Sequence, residues 1–374
     1  MGLRLWTSPD AAPDANRPGG QMMADQLEAF EAANAGVTVE VRVKKPSGIG
    51  GLLDFLRTAT VAAPAALPDV IALSRDDLAT AVGEGLLRPM GSLIDADSLS
   101  DMYPMAMAAA QVGDELYGVP FSADATVLAY NTEIRDAPPV TWTDVLSPTG
   151  TFVFPAGDPL GLVTLHQYLA LGGGLTDEAG HLALDAGVLA QVLDFYHTAA
   201  VAGVVPPPIT DYADSAATWI AYREHRATLA ATPASLFLRE RERAGPTAAT
   251  VLPTRDGTPL ALGSAWSYAL VTSDPARQAQ AAALLLWLTA PDNLAEWTLA
   301  AGVLPPRASA LDAWNDPAAA AFGRRVMSVA VLRPDAASLA VFGPAIRQAV
   351  TDSILGRATP QAAAERAAAA VAGQ

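Results

Sequence analysis

Small polar side chains recur in this sequence at Trp6 to Asp10, Ser74 to Asp76, Phe121 to Asp124 and Gly157 to Leu160, with an aromatic ring in the first and third of these segments. A ring offers a flat apolar face, and Asp, Ser and Arg offer fixed acceptors and donors; together they suit a flat, hydroxylated molecule of the sugar type. The devices of covalent and redox chemistry are missing. No GxGxxG, GxxxxGK[ST] or GxSxG motif occurs, so dinucleotide, P-loop and nucleophile-elbow chemistry are not indicated. The absence of cysteine removes thiolate zinc sites, disulfides and thiol catalysis together. Four histidines, His166, His181, His197 and His225, show neither HExxH nor HxH spacing, so no metal is expected. Carboxylates are plentiful enough for a two-carboxylate, polysaccharide-active enzyme, but no spacing selects a pair.

Those four segments need a scaffold. At roughly 150 residues per domain, 374 residues allow two lobes or one large enzyme fold. A hydrophobic fraction of 51% with 17% charged residues supports a real core and excludes a disordered chain. Twenty-three basic against 39 acidic side chains give a formal charge of −16, which disfavours nucleic acid and anionic lipid. Lys44 and Lys45 are the only lysines, and the arginines are scattered or mixed with acids, as at Arg239 to Arg243. The apolar run Ala281 to Ala290 is short of the roughly 20 residues of a membrane span. Trp6 is followed at once by Thr7, Ser8, Pro9 and Asp10, so no signal-peptide core is present; Met1-Gly2 is either a native start or what replaces a removed export signal.

Hydrophobic periodicity gives an α/β reading. Leu3 to Trp6 reads as a strand, and Met23, Leu27 and Phe30 share one face of a helix that Asn34 and Gly36 stop. Val37, Val39, Val41 and Val43 alternate with polar residues as a half-buried strand. A helix over Leu52 to Ala62 and the apolar run Pro68 to Leu73 follow, the run suiting a parallel strand covered on both faces. After Asp76 a helix runs to Gly85, Gly113-Asp114 turns the chain, and Leu116 to Val119 and Thr126 to Tyr130 read as two β-type runs. Thr141 to Asp144 has capping-box spacing, Phe152 to Phe154 is a short strand, and helices cover Val163 to Leu171 and Val188 to Ala202 before Pro206 to Pro208. Thr228 to Ala231, Thr250 to Leu252 and Leu260 to Val271 are further strands. From Pro275 onward the chain is helical, capped or broken at Pro291, Pro305-Pro306, Pro317, Pro334 and Pro344, with an Ala-rich helix from Thr359 to Gln374.

Several blocks in order resemble the bacterial extracellular solute-binding proteins of family 1, the substrate-binding subunits of ABC importers. They are Leu27 to Glu31, Pro68 to Val70 with Gly85 to Pro89, Tyr117 to Ser122 leading to Leu128 to Asn131, Pro138 to Trp142, the run from Gly263 to Pro306, and Ala345 to Val350 followed by Gly356 to Pro360. The resemblance spans nearly the whole chain. It implies a two-lobed periplasmic-binding-protein fold of type II (α/β), one lobe from 1–118 and 265–305, the other from 119–264 and 306–374. Crossings would lie near Tyr117 to Ser122, Pro259 to Trp266 and Pro305 to Leu311, with ligand held in a cleft closed by hinge motion. It further implies a non-enzymatic, monomeric protein without cofactor, located in the periplasm or otherwise outside the cytoplasm, free or lipid-anchored, that delivers a sugar to a membrane permease. A sugar-like polar solute such as a glycerol phosphodiester and a sensor role with a receptor in place of the permease are the other readings. Only Arg75 and Arg307 fall near the expected cleft, which favours a neutral sugar. Gly343 stands where the maltodextrin-binding members carry a stacking tryptophan, which points to a smaller or differently shaped sugar.

The expected ligand contacts are Trp6, Ser8, Arg75, Asp76, Ser122, Asp124, Asp158, Ser235, Ser264, Trp266 and Tyr268. Each has a bland counterpart. Trp266 either stacks on ligand or packs at an interface; Asp124 either faces ligand or caps a turn; Asp76 competes with a helix N-cap role. Asp158, in a Gly-Asp-Pro turn, serves the turn as readily as a ligand. Trp142, Trp287 and Trp297 are read as packing residues, and His166 as a satisfied helix histidine.

Overall fold

The computed structural model describes residues 2–147 and 150–373; the tail-helix expectation at Gln374 lies outside them. The chain opens with β1 (Gly2–Thr7), α1 (Pro18–Ala33), β2 (Thr38–Val43), α2 (Leu52–Ala62), β3 (Val70–Ser74) and α3 (Arg75–Gly83). Then come α4 (Pro104–Ala110), the small hairpin β4 (Gln111–Val112) and β5 (Glu115–Leu116), and the long β6 (Gly118–Asn131). Next follow α5 (Trp142–Val145), β7 (Phe152–Val153), α6 (Leu162–Ala170), α7 (Ala186–Val201), α8 (Ser215–Arg223), β8 (Leu229–Pro233), α9 (Ala234–Glu240) and β9 (Thr247–Val251). β10 (Ala261–Leu270), α10 (Pro275–Leu288), α11 (Pro291–Ala301), α12 (Ala308–Asp312), α13 (Pro317–Met327), β11 (Ala330–Leu332), α14 (Ala336–Ile354) and α15 (Pro360–Ala372) complete it.

The chain divides into two compact units, residues 1–124 with 263–328 and residues 125–262 with 329–374. In the first, β1 lies parallel between β2 and β3, in register Thr7 with Val43 and Leu5 with Val70. β10 runs antiparallel to β3, so Trp266, in the middle of β10, stands opposite Ser74 at the end of β3. Val70, Ile71, Ala72 and Leu73 are fully buried, as an apolar run covered on both faces requires. Trp6, Leu52, Leu56, Ile71, Leu73 and Leu78 form one apolar cluster under α2 and α3. Beside it, Asp69, 3% exposed, accepts the backbone N–H of Arg4 and a two-pronged contact from Arg277, which compensates the buried charge.

In the second unit β6 pairs antiparallel with β8 and β9, and β7 runs parallel to β8. α15 turns Ala363, Ala364, Ala367 and Val371 inward, small residues that let it pack closely on α7 and α14. The Thr141 capping box forms as its spacing predicts, with Asp144 returning a bond to the Thr141 N–H.

Three features differ from the sequence reading. The two runs around Pro120 are a single strand, β6, because no turn residue interrupts them and the fixed φ of proline is compatible with extended chain. Pro344 lies inside α14 and does not end it; the lost backbone bond is offset by the buried face of Leu339, Phe342, Ile346 and Val350. The passages between units fall at 124/125, 262/263 and 328/329. The third is later than expected because α12 and α13 stay with the first unit: Arg307 is clamped by Asp101, and Gly323 fits against Leu311 so closely that a Cβ would stand 2.6 Å from it.

Candidate functional site

In an open α/β sheet the parallel strands end together, and ligands gather outside their carboxyl ends. In the first unit that edge carries Lys44 after β2, Ser8, itself buried, after β1, and Ser74 at the end of β3 followed by Arg75-Asp76, with the middle of β10 alongside. Ser74 caps α3 by accepting the Asp77 N–H at 3.3 Å, so the N-cap is Ser74 and Asp76 is left to pair with Arg75 at 3.3 Å. That pair is partly exposed, at 27% and 19% of the two side chains, and Trp266 stands half-buried across from Ser74. Ser122 is buried on β6, while Asp124 and Ser264 are half-buried on β6 and β10. One edge of one unit therefore gathers a ring, hydroxyls, a carboxylate and a guanidinium. Asp77, in the first turn of α3, is the carboxyl there that burial pushes above its usual range.

Other expected contacts turn out to be structural. Trp6 is 3% exposed and packs in the apolar cluster, with the Lys44 ammonium 5.7 Å from its ring centroid, so it is a core ring and not a stacking platform. Its indole N–H and the neighbouring Thr7 hydroxyl are buried without a hydrogen-bond partner among the described residues. Tyr268, 1% exposed, lies stacked on Phe121 with centroids 4.1 Å apart, and burial pushes its phenol up. In the second unit Asp158 accepts the N–H groups of Leu160 and Leu162 at 3.0 and 3.1 Å, holding the turn that starts α6. Ser235 is buried in the first turn of α9, where its hydroxyl accepts from Arg239 at 3.4 Å. Arg307 donates to Asp101 and to the carbonyls of Thr289 and Ser98, a brace of the first unit with no group turned to a ligand. His166, completely buried, contacts the Leu260 carbonyl at 2.8 Å and is held near pKa about 4 by burial, in keeping with its reading as a core histidine.

Two residues escaped the sequence reading. Lys44 sits 3.9 Å above the Phe55 ring at the edge just described; its signal was its rarity, as one of two lysines. Among the described residues Tyr212 is the one Phe, Tyr or Trp ring of the second unit that is not buried; its carbonyl accepts the Gly157 N–H at 2.9 Å, which sets it beside the segment after β7. Nothing in its local pattern marked it, because the contact joins segments far apart in sequence. Among the described residues no three His, Cys, Asp or Glu groups converge on a metal site.

The profile of a bacterial extracellular solute-binding protein matches residues 25–321. A maltotriose-binding protein of Pyrococcus abyssi is 28% identical over 110 residues, 29% of this chain and 24% of that protein, so the match covers about a quarter of that relative's length. Among solved structures, the cyclic α-maltosyl-1,6-maltose binding protein of Arthrobacter globiformis superposes with a TM-score of 0.80 at 19% identity, over 100% of this chain and 98% of that one. The Thermus thermophilus maltotriose binding protein bound with maltotriose gives 0.68 at 18% identity, over 99% and 98%. The fold is the two-lobed, type II periplasmic-binding-protein fold that the sequence implied, with three chain passages between its units.

Proposed function

The chain belongs to the bacterial extracellular solute-binding protein family, and from that premise we propose that it captures a sugar, mono- or oligosaccharide, as the substrate-binding subunit of an ABC importer. It releases the sugar unaltered to a membrane permease, acts outside the cytoplasm as a monomer, free or lipid-anchored, and catalyses nothing. The observation that carries this reading is the gathering of Ser8, Arg75-Asp76 and the half-buried Trp266 at one strand edge of the first unit. A half-covered indole gives a pyranose face something to rest on, and the paired Arg75 and Asp76 present donors and acceptors with no net charge. Charge also favours the sugar over a phosphodiester: Arg307 is consumed in its brace, Asp76 offsets the charge of Arg75, and Lys44 is a single cation over Phe55, so among the described residues no arginine cluster stands at this edge for an anion. The relatives' names, a maltotriose-binding and several maltodextrin-type binding proteins, support the same class.

The test is a thermal-unfolding screen of glucose, maltose, maltotriose and maltotetraose at millimolar concentration, with glycerophosphodiesters as comparison. Ligand at a hundred times Kd stabilises the native state by about 2.7 kcal/mol. A neutral sugar should raise Tm by several degrees and Trp266→Ala should weaken its binding about tenfold, with far-UV circular dichroism unchanged. A shift from the phosphodiesters alone would overturn the sugar assignment.

A further inference from the structure

The second unit holds, by itself, a groove of about 700 Å³ to which none of the expected ligand contacts belongs. It runs between α7, the first turn of α15, α5 and the segment after β9. Its floor is aromatic: Trp142 and Phe195 are stacked with centroids 4.6 Å apart and planes 10° from parallel, and both are buried. The floor is fixed before anything binds. The Trp142 indole donates to Gln167 at 2.8 Å, the Gln167 amide donates to the Pro253 carbonyl at 2.9 Å, and the Trp142 N–H donates to the Thr254 carbonyl at 2.9 Å. One chain of bonds thus ties the floor to the segment that carries Arg255.

The walls are polar. Gln191, Asp194 and Thr198 stand at helical spacing along one face of α7, all exposed, and Arg255, also exposed, donates to the Gln191 side-chain carbonyl. The Asp194 carboxylate makes no hydrogen bond or ion pair among the described residues, and Thr143 and Gln361 also line the groove. One guanidinium and one carboxylate cancel, so the groove does not select for net charge. An apolar floor, a neutral balance of donors and acceptors, and a volume in the range of small-molecule sites describe a hydroxylated, uncharged occupant with an apolar face.

We propose that this groove is a second carbohydrate site, independent of the strand edge of the first unit, in which Asp194 and Arg255 hydrogen-bond ligand hydroxyls and the buried Trp142 and Phe195 stack is a rigid apolar backing, not a stacking face. It is weaker than the first site because its floor rings are mostly covered by each other. The experiment is a titration of the whole protein with maltotriose, followed by backbone amide NMR shifts and native mass spectrometry, on wild type, on Trp266→Ala and on Asp194→Ala combined with Arg255→Ala. The expected result is saturable shifts in α7 and around Arg255, a second bound equivalent in wild type, and loss of that equivalent by at least tenfold in the double variant alone. Trp266→Ala should keep it, so failure of the first site and of this one read out separately. Shifts confined to the first unit, no shifts at all, or a second equivalent that survives the double variant would overturn the proposal.

Discussion

A Cβ at Gly343 would stand 2.0 Å from the Pro159 carbonyl oxygen and 2.9 Å from the Leu160 Cα, both backbone. Helix α14 therefore touches the segment after β7 with no side chain between, and a ring at that position has no room. Gly343→Ala should lower stability by about 2 kcal/mol, as overpacking against unyielding backbone does, visible as a drop in Tm without change in secondary structure. That a glycine occupies position 343 is plain in the sequence; the Pro159 contact that requires it is not, because nothing local reports on a neighbour some 180 residues earlier. The same limit explains the mixed outcome at the expected site. Ser8, Arg75, Asp76 and Trp266 each follow or face a strand end of the first unit, and periodicity located those ends. Tyr268, two residues on from Trp266 and on the same face of β10, is buried by its stack on Phe121, and Trp6 by the apolar cluster under α2 and α3, neighbours that local alternation does not report.

At the scale of elements, α6 is tied to the start of β10 by His166, whose Nε2 lies 2.8 Å from the Leu260 carbonyl and whose Nδ1 is buried without a partner. A neutral ring donating from Nε2 satisfies the carbonyl; a second proton would place a charge and an unmatched donor in the core. Burial lowers its folded pKa from 6.5 to about 4, so the unfolded chain takes up the proton first as pH falls. The sign follows: this contribution is intact above pH 6.5, and about 3 kcal/mol is lost on going down to pH 4. Urea denaturation from pH 7 to 4 should show that slope in wild type and a flatter one in His166→Gln; equal slopes would assign the acid sensitivity elsewhere. Helix and strand identities were largely legible from period and caps, the Thr141 capping box included. The continuity of β6 through Pro120 and of α14 through Pro344 was not, because long-range pairing and packing decide whether a proline ends an element.

At the scale of the molecule, the formal charge of −16 matters for what the protein meets. Such a surface repels anions at long range and is indifferent to neutral solutes. The affinity for a neutral sugar should change less than about twofold between 20 and 500 mM salt, whereas an anionic solute would show strong salt dependence. The family resemblance read from ordered blocks carried the two-unit division, and the late third passage was missed because Arg307 ties the start of α12 to Asp101, some 200 residues earlier, while α13 packs on α12 through Gly323 and Leu311.

Isothermal titration of the protein with neutral mono- and oligosaccharides, followed by mass analysis of the sugar recovered afterwards, addresses capture and release together. Saturable heat for at least one sugar, sharply reduced in Trp266→Ala, with the molecule returned chemically intact, is the result expected. Absence of saturable heat across the series, or recovery of a cleaved sugar, would contradict it.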